Sequence, residues 1–107
     1  MPKQGLSTKP VLAIEISQLA DADLVSIIDY GAEVFGWDRA ETYAAGFDDS
    51  FALLAQYPKI GFLHSEFRPP IRSFSHGSHR IFYDIATDRI IVQRVLHKSR
   101  DAQRWLE

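Results

Sequence analysis

Residues 71–97 read IRSFSHGSHRIFYDIATDRIIVQRVLH. Three bursts rich in β-branched and aromatic residues, IRSFSH (71–76), HRIFYDIA (79–86) and RIIVQRVLH (89–97), are parted only by Gly77-Ser78 and Thr87-Asp88. Connections this short cannot carry a chain back to start a parallel strand, which needs a crossover of a dozen residues or more. The three bursts therefore form an antiparallel meander. Everything upstream has to pack on that sheet.

The upstream half supplies one strand and two helices. VLAIEIS (11–17) alternates Leu12, Ile14 and Ile16 against Val11, Ala13 and Glu15, the period of a strand. In QLADADLVSIIDYGAEVFG, residues Leu24, Ile27, Ile28, Gly31, Val34 and Phe35 recur at helical spacing, Asp21 and Asp23 favour the positive N-terminal end, and Gly36 stops the helix. A second helical pattern starts at once, with Asp38 and Glu41 in capping-box spacing and a stripe of Ala40, Tyr43, Ala44, Phe47, Phe51 and Leu54 before Pro58. Two amphipathic helices so closely joined fold back as an antiparallel hairpin. PKIGFLHSEFRPP (58–70) reads as a loop, and SRDAQRWL as one last helical turn. The expected fold is α+β, in the order β-α-α-β-β-β, with the helical hairpin on one face of a small, mainly antiparallel sheet. With 107 residues the chain makes one domain, residues 11–107, preceded by a mobile tail at 1–10 rich in Pro, Gly, Lys, Ser and Thr.

Composition narrows the function classes. There is no cysteine, hence no disulfide framework, thiolate nucleophile or cysteine zinc site. No apolar run approaches the ~20 residues that cross a bilayer, and the first ten residues carry no signal-peptide core, so a cytoplasmic protein without membrane association is expected. No phosphate-binding glycine loop and no G-x-S-x-G elbow is present, so no nucleotide cofactor or serine hydrolase chemistry is expected. The four histidines invite a metal reading, with His76 and His79 as H-x-x-H across a turn. Zinc needs three or four converging ligands, and no second pair or helical H-E-x-x-H accompanies them, so no metal is expected.

Charge is more informative. Residues 1–58 hold three basic against nine acidic residues, a net of −6, whereas residues 59–107 hold nine basic against five acidic, a net of +4. The last strand carries Arg94 among apolar residues and ends in His97, Lys98 and Arg100. Strand alternation puts Arg80 with Phe82 on one face, Ile81 with Tyr83 on the other, and Arg94 with Ile90, Val92 and Leu96. An arginine on an apolar face is either paired with a carboxylate or emerges at a site. One outcome is an internal ion pair with Asp84, Glu15 or another acid; the other is a basic groove along the sheet, with Arg80, Arg94, His97, Lys98 and Arg100 around it, suited to a polyanion or an acidic protein surface.

The ordered set ADLVSIIDY, FGWDRAETY, LLAQYPKIG, GSHRIFYDI and IIVQRVLHKSRD resembles the RelE/ParE superfamily of bacterial toxins, and most closely its ParE, or plasmid-stabilisation, branch. The resemblance covers residues 11–104. It implies a small α+β toxin neutralised by an antitoxin, ParD-like and of the ribbon-helix-helix kind, whose pliant tail wraps the toxin into a hetero-oligomer. It also implies one of two activities. ParE-like members poison DNA gyrase by binding, whereas RelE- and YoeB-like members cut mRNA on the ribosome without metal. For the second activity Arg80 resembles the phosphate-stabilising arginine and His97 the acid-base histidine. Lys98 stands where a tyrosine is expected, and the expected loop carboxylate has no match nearer than Glu66. The leading expectation is thus a non-enzymatic gyrase-binding toxin with Arg80, Arg94, His97, Lys98 and Arg100 facing the target. An mRNA endonuclease and a decayed, non-toxic antitoxin-binding homologue are the alternatives. Ile28, Tyr43 and Phe47 on the helical hairpin are the candidate antitoxin anchors, with core packing as their competing role.

Overall fold

Ser17 decides where the first helix begins. Its hydroxyl accepts the Ala20 amide at 3.0 Å and donates to the Gln93 carbonyl at 2.9 Å, so one residue both caps a helix and ties it to a strand. The computed structural model describes residues 11–106; the expected mobile tail at 1–10 lies outside the described residues. The order is β1 (Ala13–Ile16), α1 (Gln18–Phe35), α2 (Trp37–Gln56), a 3-10 turn (Pro58–Ile60), β2 (Phe62–His64), β3 (Ile71–His76), β4 (His79–Ile85), β5 (Arg89–His97) and α3 (Ala102–Leu106). Gly36, at a φ of 92°, is the whole link between α1 and α2. A left-handed φ there suits glycine, and it turns the chain back into the antiparallel hairpin. Asp38 does not cap α2, contrary to its capping-box spacing. The helix resumes at Trp37, so Asp38 already lies inside the first turn.

The five strands form one sheet in the order β1-β5-β4-β3-β2. β1 runs parallel to β5, and every other pairing is antiparallel. The α+β architecture and the meander are as the sequence implies. The segment 58–70 is more ordered than its reading as a loop, because buried Tyr83 organises it. The Tyr83 hydroxyl donates to the Pro58 carbonyl at 2.6 Å and accepts the Gly61 amide at 3.0 Å. A Cβ on Gly61 would stand 2.5 Å from that hydroxyl and 2.8 Å from the Ser73 carbonyl oxygen, so only glycine admits this approach. Arg72 donates to the Gly61 carbonyl at 2.9 Å. The chain leaves that knot as β2, a three-residue edge strand.

The core has two parts. Between hairpin and sheet, Ala20, Phe47, Phe51 and Leu54 pack on Ile81, Tyr83, Ile90, Val92 and Val95. On the opposite face Ile71, Phe82 and Leu96 are covered by Phe67 and by Ala102 and Leu106 of α3. A β-bulge explains how β5 serves both: Tyr83 pairs with Val92 but Phe82 pairs with Arg94, leaving Gln93 as an extra residue. Arg94 consequently pairs on the Phe82 face, away from Ile90 and Val92. Strict alternation put it on theirs.

Candidate functional site

β1 ends at Ile16, so beyond Val92 the edge of β5 would be bare. α1 covers it. The Asp23 carboxylate accepts the Val95 amide at 2.9 Å and receives the Arg94 guanidinium through two bonds of 2.8 Å. Both side chains are largely buried, at 13% and 14% exposure. Hydrogen bonding to Asp23 raises the Arg94 pKa above its ordinary value, while burial opposes that rise. Arg94 also donates to the Trp105 carbonyl at 3.1 Å, and the Trp105 ring lies against both Arg94 and Arg100, 5.5 and 4.7 Å from their guanidinium carbons. The strand arginine is thus an ion-paired post that holds α3 in place.

Those contacts build one wall of a groove of about 1120 Å³ between the helical hairpin, the end of β5 and α3. Ile27, Tyr30 and Phe35 of α1 and Arg39 and Tyr43 of α2 line one side; Ser78, His79, Arg94, His97, Arg100 and Trp105 line the other. Tyr30 and Phe35 are 63% and 58% exposed and leave apolar surface on this side of the groove. Tyr43 is half-buried at the groove floor, where its hydroxyl meets the His76 carbonyl at 3.0 Å, the His79 Nδ1 at 2.6 Å and the Ser78 amide at 3.2 Å. His79 stands directly opposite His97 across the β4–β5 pair, with ring centres 5.3 Å apart. Burial first, then the neighbouring His97 and His76, lowers the His79 pKa to about 4, so this imidazole is neutral at pH 7.

The residues singled out in the sequence do not all meet here. Arg94, His97 and Arg100 line the groove, but Arg80 and Lys98 do not. Arg80 pairs with Leu96, one position from the His79–His97 pair, and so lies on the other face of the sheet, where it donates to the Lys98 carbonyl at 3.4 Å. Lys98 is exposed beyond the strand. Of the hairpin residues, Tyr43 is held by the hydrogen bonds just described. Phe47 is only 3% exposed, packed against Phe51 and His76, and lies at the base of the groove that Ile28 lines. Ile28 is half-buried in this second, smaller groove between α1 and α2, beside Leu24, Val25, Ala44 and Ala45 and rimmed by Asp21 and Asp48. Among the described residues no cluster of three or more His, Cys, Asp or Glu could hold a metal ion. None of their helices is long and apolar enough to cross a membrane. Asp23, Trp105, His79 and Ser99 carry much of the site. Asp23 was readable only as a charge near a helix start, since its partner lies 71 residues away.

Known proteins align with nearly all of this framework. The family model of the ParE toxin of type II toxin-antitoxin systems, parDE, matches residues 14–102. Toxin ParE1 of Mycobacterium tuberculosis is 37% identical over 92 residues, spanning 85% of this chain and 94% of the relative. Toxin ParE1 of Caulobacter vibrioides is 32% identical over 91 residues, with the same shares of 85% and 94%. A solved structure, the chromosomal ParDE TA system from P. aeruginosa, superposes with a TM-score of 0.71 at 16% identity, covering 83% of this chain and 98% of that one. The likeness to that structure is one of fold.

Proposed function

Because this chain belongs to the ParE toxin family of type II toxin-antitoxin systems, we propose that it arrests growth by binding and inhibiting DNA gyrase in the cytoplasm. A cognate ParD-like antitoxin with a ribbon-helix-helix DNA-binding part neutralises it. The observation that carries the reading is the family match, which runs from β1 to the first residue of α3. Geometry supports a binding surface over a nuclease centre. Cleavage by a 2′-hydroxyl needs phosphate stabilisation and proton transfer in one place. The two groups that could supply them, Arg80 and His97, lie on opposite faces of the sheet. The target-facing rim on this reading is His97, Lys98 and Arg100, with Arg94 holding the wall behind them and Arg80 contributing from the far face. For the antitoxin, the exposed apolar residues of α1 and the groove beside Ile28 suit an amphipathic segment folding as it binds.

The test is a supercoiling assay run alongside a translation extract. Purified toxin is expected to block supercoiling or trap gyrase-cleaved DNA, and to leave ribosome-bound message intact. Transcript cutting with gyrase unaffected overturns the reading. Failure of induced expression to arrest growth removes toxicity altogether.

A further inference from the structure

Two imidazoles on the groove wall have their protons placed by their neighbours. The Tyr43 hydroxyl has one proton and two lone pairs. The Ser78 amide can only donate to it and the His76 carbonyl can only accept from it. That leaves one lone pair for the third neighbour, 2.6 Å away, so His79 carries its proton on Nδ1 and a bare lone pair on Nε2. His97 is arranged the other way. The Ser99 amide donates to His97 Nδ1 at 3.0 Å, and the Ser99 hydroxyl stands 2.8 Å from the same atom. Nδ1 is therefore an acceptor, and the proton of the neutral ring sits on Nε2. Neither Nε2 has a hydrogen-bond partner among the described residues, although both rings line the groove.

We propose that His79 and His97 present one fixed acceptor and one fixed donor, side by side, and that the pair grips the backbone of an extended polypeptide segment of the target. This rests on the target-binding reading above, which already places His97 at the rim. An extended residue turns its own N–H and C=O to the same side, as in each hydrogen-bonded pair of an antiparallel ladder. It can give its N–H to His79 and take the N–H of His97. A phosphate or carboxylate offers only acceptors, and would set negative charge against the His79 lone pair. The pair thus favours a neutral peptide backbone over a bare phosphate or carboxylate. His79 stays neutral at pH 7 and keeps its acceptor, while Tyr30, Phe35 and Trp105 supply an apolar flank for the segment's side chains.

The experiment has two arms. Long-range proton–nitrogen NMR of the 15N-labelled full chain is expected to show Nδ1–H on His79 and Nε2–H on His97. The reverse assignment at either ring overturns the inference, whatever the target. In the second arm, gyrase inhibition and growth arrest on induction are measured for His97→Leu, His79→Leu and His97→Gln, with the folded state checked by circular dichroism. Each leucine variant should need about tenfold more toxin, the worth of one net hydrogen bond. Glutamine, which retains an N–H near the Nε2 position, should need about threefold more. Leucine variants as potent as wild type in growth arrest overturn the proposal. A wild type that arrests growth without touching gyrase overturns only the gyrase reading, and the order of the variants in growth arrest still decides this one.

Discussion

His79 carries the clearest single-residue consequence. It is half-buried between Tyr43 of α2, His76 at the end of β3 and His97 of β5, and its pKa falls from 6.5 to about 4. Below pH 6.5 the unfolded chain takes up a proton that the folded chain refuses until about pH 4, so stability declines as pH falls through that window. The shift corresponds to at most ~3 kcal/mol, and because the ring is partly exposed, screening reduces it to about 1–2 kcal/mol. Urea unfolding at pH 7.5 and 4.5 should show wild type losing about that much more stability than His79→Gln. Parallel losses in the two proteins would mean the proton goes elsewhere. His76 and His79 were visible in the sequence as H-x-x-H, yet spacing alone suggested only a metal. Their surroundings came from Tyr43, 36 residues before His79.

Between elements, the junction of α1 with β5 is where local pattern and long-range packing diverge. Asp23 closes the strand edge that β1 leaves open and neutralises Arg94. Asp23→Ala should cost about 3 kcal/mol, because it strands a largely buried guanidinium and a strand amide. The double variant Asp23→Leu, Arg94→Met should recover much of that loss, since the stranded guanidinium is gone as well. Equal instability in single and double variants, read from urea midpoints, would show that edge coverage rather than ion pairing dominates. The helices and the meander were legible because their apolar residues recur with an unmistakable period, as in the stripe Ala40, Tyr43, Ala44, Phe47, Phe51 and Leu54. β2 was not, because Phe62–His64 is too short to display a period and is held by Tyr83 from another strand. Nor was the bulge at Gln93, since one extra residue in an apolar run leaves alternation looking intact. That bulge put Arg94 on the Phe82 face, where strict alternation did not expect it, and it still lines the groove with His97 and Arg100; Arg80 and Lys98 lie outside that groove.

At the scale of the molecule, the split in charge becomes a split in space. α1 and α2 hold eight acidic residues against the single Arg39, while residues 59–106 hold nine basic residues against four acidic ones. An approaching partner meets a negative hairpin or a positive sheet end, and charge of this kind acts mainly on the rate of encounter. Lys98 and Arg100 stand exposed at the sheet end, with no ion pair among the described residues. On the gyrase-binding proposal, Lys98→Glu with Arg100→Glu should therefore slow association with gyrase about tenfold at low salt and leave dissociation nearly unchanged. The difference should shrink at about 0.5 M salt, where screening acts over only a few ångströms. His97→Leu should behave in the opposite way, speeding dissociation at either salt concentration, because a hydrogen bond inside a groove forms only after contact. Association and dissociation rates from surface-immobilised gyrase separate the two patterns. If the charge-reversed protein associates as fast as wild type, the positive end is not the approach face, and the acidic hairpin takes that role.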